Sequence, residues 1–134
     1  MKCLLDTCSL LWLLSDSKKL SSKAVEVIKD RRIEVYASTI SFWELSLKHG
    51  IGKLALENYE IEEIDAILLE DLAIGIIGLN EQESLSYFRL PSAKDHRDPF
   101  ERMLAWQAIK RDMALVSSDP AFEQYRRCGL RIIW

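Results

Sequence analysis

At 134 residues, 49% apolar and 29% charged, the chain is one ordinary domain's worth of polypeptide, long enough to bury a core and too short for two independent ones. No apolar run approaches the roughly eighteen residues of a membrane-spanning helix, and Met1 leads straight into Lys2-Cys3-Leu4-Leu5-Asp6, which does not suit a signal peptide, so neither a membrane partner nor export is expected. The net charge of −3 weighs against nucleic acid until its distribution is read: nine acids and no Lys or Arg fall between residues 57 and 83, and taking those nine from the 21 acids leaves 12 against 18 basic residues elsewhere.

Residues 2–6 are a short apolar run ending in an acid, and 8–14 are a second apolar stretch stopped by Ser15-Asp16-Ser17, which reads as a strand and then a short helix. Cys3 and Cys8 are expected to pack inside. The segment 10–14, Trp12 included, is apolar all round, more than one buried helix face requires, so a partner or the rest of the chain should cover part of it. Ser21 or Ser22 can cap a helix to about residue 29, and 34–37 returns to strand character. Residues 40–49 are helical again, closed by Gly50 and Gly52, where a left-handed cap is cheap.

Asn58 can cap an acidic helix whose Ile61, Ile64, Ile67 and Leu68 form one apolar stripe, and 73–79 then reads as a buried strand despite its glycines. Asn80 with Glu83 has the form of a capping box for a helix to about residue 88. Pro91 ends it, and a polar loop through Lys94 and His96 leads to Asp98-Pro99, an acid and an N1 proline that open a helix to about residue 111. A strand at 113–117, a helical turn from Pro120 and a last strand at 130–133 complete the chain. This alternation predicts an α/β fold, a three-layer α/β/α sandwich around a parallel sheet of about five strands, with residues 1–134 as a single domain.

In an open α/β sheet the functional crevice lies beyond the carboxyl ends of the strands, where strand order reverses. Leu4-Leu5-Asp6 and Leu115-Val116-Ser117-Ser118-Asp119 share one design, an apolar strand that delivers an Asp at its exit. If these strands are neighbours, Asp6 and Asp119 share a rim, and the helix starts carrying Glu44 and Asp98 with Glu101 can face it too. Each acid also has an innocent explanation. Glu44 can close a capping box with Ser41, Asp98 can be an N-cap, Glu101 can complement a helix dipole, and Asp119 before Pro120 can be a turn residue. Convergence would tip the balance, because acids gathered at one place repel one another unless a cation neutralises them. A hard divalent ion such as Mg2+ wants oxygen ligands, and such a site favours hydrolysis of a phosphodiester.

Thr7, Ser117 and Ser118 flank these acids and could orient water or phosphate. Lys48, Lys53, Arg97 and Arg102 are candidates for phosphate contacts, which position a nucleic acid without reading its sequence. Trp43 and Trp106 suit core or interface packing better than base stacking. The three cysteines, Cys3, Cys8 and Cys128, lack metal-site spacing and are odd in number, so no disulfide framework is expected and the reducing cytoplasm fits best; His49 and His96 lie in separate segments and support no zinc site.

Four stretches carry a family resemblance: Leu4-Leu5-Asp6-Thr7; Ser38-x-x-Ser41-x-Trp43-Glu44-Leu45 with Lys48 and Gly52-Lys53-Leu54; His96-Arg97-Asp98-Pro99-Phe100; and Ser118-Asp119-Pro120. Together, and in this order over nearly the whole chain, they resemble the PIN-domain ribonucleases, in particular the VapC-like toxins of toxin–antitoxin pairs. The resemblance implies an acidic Mg2+ or Mn2+ site with Asp6, Glu44, Asp98 and Asp119 on its matching positions, cleavage of single-stranded or structured RNA, homodimerisation, and inhibition by a small antitoxin protein. This chain departs from the family pattern in two places. Glu101 stands where a second Asp is usual, leaving open whether it or Asp98 ligates directly, and Ala105-Trp106 replaces a small apolar pair.

Two rival readings stand beside this one. An aspartyl-phosphate-type phosphoryl-transfer domain would want a second Asp two residues after Asp6, where Cys8 stands, or an acid pair before its phosphorylated Asp. A non-enzymatic α/β binding module would use the acids as caps and the apolar segment at 10–14 for docking.

Overall fold

The computed structural model describes residues 1–93 and 95–134; Lys94, placed by the sequence in the polar loop, lies outside the described residues. Its strands are β1 (Lys2–Leu5), β2 (Glu34–Ser38), β3 (Gly75–Ile77), β4 (Ala114–Val116) and β5 (Arg131–Ile133), joined in one sheet of order β3-β2-β1-β4-β5. All four pairings are parallel, with Cys3 opposite both Val35 and Ala114. The chain therefore winds outward from β1 to one side, then crosses back and winds outward on the other. The reversal falls between β1 and β4, and in open α/β sheets ligands bind at such a switch point, beyond the strands' carboxyl ends.

Alternation along the strands builds two cores, one on each face of the sheet. Cys3, Leu5, Val35, Ala37, Ala114 and Val116 pack with Leu10 of α1 (Thr7–Ser15), with Ala24 and Val27 of α2 (Ser22–Lys29), and with Leu45 of α3 (Thr39–Gly50). Leu4, Ile77 and Leu115 pack on the other side with Phe122, Tyr125 and the buried residues of α6 (Pro99–Lys110). Trp106 belongs to this second core, with its indole N–H donated to Ser86 Oγ at 3.2 Å.

The elements follow the sequence closely where caps define them. Ser21 accepts from Ala24 N to start α2, and Asn80 with Glu83 closes a reciprocal box at the head of α5 (Glu81–Ser86). Gly52, at φ 76°, provides the left-handed turn after α3, whereas Gly50 stays within the helix. Gly75 is explained by packing: a Cβ there would lie 2.6 Å from Cε1 of Tyr36 on the neighbouring strand.

Two expectations are corrected. The acidic segment is not one helix capped by Asn58. Glu60 caps it, and it runs as a 3-10 turn (Ile61–Glu63), α4 (Ile64–Ala66) and a π turn (Ile67–Asp71). Ile64 and Leu68 are the residues it buries, and the widened turn closes with Ile74 N donating to Leu68 O at 2.8 Å, which leads directly into β3. Cys8 lies at the surface rather than inside. As expected of an apolar segment partly covered by the rest of the chain, residues 11–14 are half-buried against the first core.

Candidate active site

Because β1 and β4 are adjacent, Asp6 and Asp119 do leave neighbouring strands, and the Asp6 N–H donates to Val116 O at 3.1 Å across that junction. Asp6 caps α1, its Oδ1 accepting from Ser9 N at 2.7 Å. Asp119 caps the 3-10 turn Pro120–Cys128, its Oδ1 accepting from Ala121 N at 2.9 Å while its own N–H donates to Ser117 Oγ at 3.1 Å. Asp98 caps α6, its Oδ1 accepting from Phe100 N and Glu101 N. The innocent roles of these three acids are thus real. Each cap occupies one carboxylate oxygen, Oδ1, and fixes the side chain, and Asp6 is further held by the Ser117 side chain.

Glu44 has no such role. Ser38, not Ser41, caps α3, and Glu44 lies farther along the helix. Its side chain is buried, with Oε2 accepting from Lys48 Nζ at 3.0 Å and Oε1 left with no hydrogen-bond partner. A buried acceptor without a partner costs on the order of 1–3 kcal/mol. Glu101, in the first turn of α6, holds Nε2 of buried His96 with Oε2 at 2.6 Å.

Several of these acids act on one another electrostatically. Burial pushes the Asp6 carboxyl above its usual range and the Asp119 charge adds to the effect, against hydrogen bonds from Ser117 and Ser9. Glu101 is also raised, by burial first, with Asp98 and Asp119 adding and His96 opposing. The Cys8 thiol is pushed up to about 11 by desolvation and by Asp6, with Glu101 and Glu44 contributing and Lys48 opposing. Three of the acids are therefore felt at one sulfur atom.

Among the described residues, no group of three His, Cys, Asp or Glu side chains is disposed to hold a metal ion as it stands. The donor chemistry nonetheless fits a hard divalent cation, which takes carboxylate oxygens and keeps several waters. Glu44 Oε1 is a buried oxygen that such a cation would satisfy.

Of the other residues singled out, Thr7 is buried and donates to Ser41 Oγ at 3.0 Å, tying α1 to α3 beside the acids. Ser117 is buried, Ser118 and Arg97 are exposed, and Lys48 is held on Glu44. Arg102 is corrected. It is buried, and its guanidinium is committed to the Tyr87 and Tyr125 hydroxyls and to the carbonyls of Leu90 and Pro91, so it braces the loop before α6 and offers a phosphate little. Trp43 is exposed, edge-on to Phe100 at 5.2 Å. The His96–Tyr125 contact escaped sequence reasoning because nothing local links positions 29 apart.

The PIN domain family model matches residues 3–127. The fold is similar to that of VapBC2 from Rickettsia felis bound to a DNA fragment from their promoter, at 17% identity and TM-score 0.65, covering 98% of this chain and 97% of that one. It is also similar to VapBC-1 from nontypeable Haemophilus influenzae (19%, TM-score 0.63, 98% and 96% covered). A third similar structure is VapBC-5 from Mycobacterium tuberculosis, a member of the VapBC family of toxin-antitoxin systems (15%, TM-score 0.59, 98% and 96% covered). No curated protein matches the chain.

Proposed function

The chain belongs to the PIN-domain family, and from this premise we propose that it is a metal-dependent endoribonuclease of the cytoplasm, the toxin of a toxin–antitoxin pair, with residues 1–134 forming one nuclease domain. The observation that carries this reading is the orphaned, buried Oε1 of Glu44 at a rim where Asp6, Asp98 and Asp119 each have only one oxygen engaged in a cap. These four, with Glu101, would hold Mg2+ or Mn2+. Bound there, the ion would activate a water and stabilise charge on the phosphate during in-line attack.

The chain's own residues prepare the site. The three caps hold Asp6, Asp98 and Asp119 in place before any ligand arrives, which limits reorganisation on binding. Lys48 holds Glu44 in orientation through its hydrogen bond to Oε2, and that bond raises the lysine's own pKa. Exposed Arg97 and Ser118 are available to phosphate oxygens beside the rim and would position RNA. The three similar structures named above are VapBC proteins, one of them bound to DNA, and this supports a small antitoxin as partner. A homodimer is part of the same reading.

The test is cleavage of RNA by the purified chain, stripped of bound antitoxin, with Mg2+ or Mn2+, and sequencing of the new ends. The wild type should give discrete ends that chelator abolishes, and Glu44→Gln should lower the rate by about a hundredfold or more. A wild type that leaves RNA intact with both metals refutes the nuclease reading.

A further inference from the structure

We propose that His96 is a positioning residue for Glu101, and that a one-way hydrogen-bond chain, Arg102 to Tyr125 to His96 to Glu101, fixes which ring nitrogen carries its proton. The inference rests on the metal-site reading given above. His96 is 4% exposed and touches Glu101 Oε2 with Nε2 at 2.6 Å and the Tyr125 hydroxyl with Nδ1 at 2.7 Å. Arg102 Nη1 donates to that same hydroxyl at 2.9 Å.

The direction of the chain follows from the donor inventory. An arginine can only donate, so the Tyr125 oxygen accepts from Arg102, and its own hydrogen is left for His96 Nδ1. Nδ1 is then an acceptor, the ring proton sits on Nε2, and Nε2–H donates to the Glu101 carboxylate. Phe122 lies edge-on to the imidazole at 5.2 Å and Tyr125 is tilted against it at 5.5 Å, so the ring plane is held as well as its tautomer.

Glu101 is the longer carboxylate at a position where the family resemblance leads one to expect Asp, and its extra torsion must be restrained if it is to face a metal reproducibly. The His96 bond restrains one oxygen and leaves Oε1 for a ligand. This is the arrangement by which residues behind a metal site orient the residues that touch it, and its loss weakens metal binding by about ten- to a hundredfold.

The experiment has two readouts apart from activity. With only two histidines in the chain, nitrogen NMR of histidine-labelled protein resolves His96, identified by the signal lost in His96→Gln. The wild type should show Nε2 protonated and Nδ1 bare, and Tyr125→Phe, which removes only the hydroxyl, should let the other tautomer appear. Mn2+ affinity should fall about tenfold in His96→Ala and recover largely in His96→Gln, whose amide N–H can stand near the Nε2 position.

A wild-type Nδ1–H tautomer, or a folded His96→Ala with Mn2+ affinity within about twofold of wild type, overturns the proposal. Should His96→Ala not fold, Tyr125→Phe decides on the same readouts: unchanged tautomer and unchanged affinity overturn it. A wild type that binds Mn2+ yet cuts no RNA defeats the nuclease reading and leaves this one standing, whereas a wild type that binds no Mn2+ defeats both.

Discussion

Glu83 and Glu44 are both buried, at 2% and 6% exposure, and they sit in opposite circumstances. Glu83, in the first turn of α5, accepts from Arg111 Nε at 2.6 Å, from Arg111 Nη2 at 2.9 Å and from Asn80 N at 3.0 Å. Every lone pair that matters is engaged, and the residue locks two helices together. Glu44, at the sheet rim, has one lysine on one oxygen and nothing on the other. A charge retained for architecture is saturated with donors; the one left wanting calls for a partner from outside the fold, the role proposed for a metal ion.

The largest expected effect tests the saturated member. Glu83→Ala should lower unfolding free energy by about 3 kcal/mol in urea titration, since it strands a partly buried guanidinium; a loss below about 1 kcal/mol would erase the contrast. Next, Mn2+ at a hundredfold excess over its Kd should stabilise the wild type by about 2.7 kcal/mol, and the same concentration should leave Glu44→Gln nearly unmoved. Equal stabilisation of both proteins would place the ion elsewhere.

Without metal, Glu44→Gln should change stability by less than about 1 kcal/mol, because the amide oxygen can still accept from Lys48 and the weakened ion pair is offset by removing a buried negative charge from beside other acids. A loss like that of Glu83→Ala would make Glu44 structural after all.

The smallest effect is one of pH. Burial pushes the Glu83 carboxyl up, but hydrogen bonds from Arg111 and Asn80 outweigh it and hold the group below the ordinary glutamate range. A carboxyl lowered by folding contributes stability that is present above its unfolded value and lost as pH falls through its folded one. The stability gap between wild type and Glu83→Gln should therefore be constant near neutrality and narrow as the solution is acidified below the usual glutamate range. A gap that widens on acidification would contradict the assignment.

Much of this was legible in the residues themselves. Caps are local chemistry, so Ser21 or Ser22, Asn80, Asp98 and Asp119 marked helix starts, and Asp6 and Asp119 are expected to share a rim if their strands are neighbours, which β1 and β4 are. What could not be read depends on distant partners. Arg102 is a brace only because Tyr87, Leu90, Pro91 and Tyr125 fold around it. The acidic segment kept its apolar stripe but not its helix, because burying Ile64 and Leu68 while feeding β3 required a widened turn that periodicity does not encode. Cys8 follows Asp6 in an apolar run, yet it faces out beside the acids.

The placement of β1 between β2 and β4 has a consequence for assembly. Cys3 must find Ala114 across almost the entire chain, so a nascent polypeptide can pair β1 with β2 early but must wait for β4 before Asp119 reaches Asp6. The rim is therefore among the last things to form during synthesis, and a truncated or half-made chain carries scattered acids with no common charge to share.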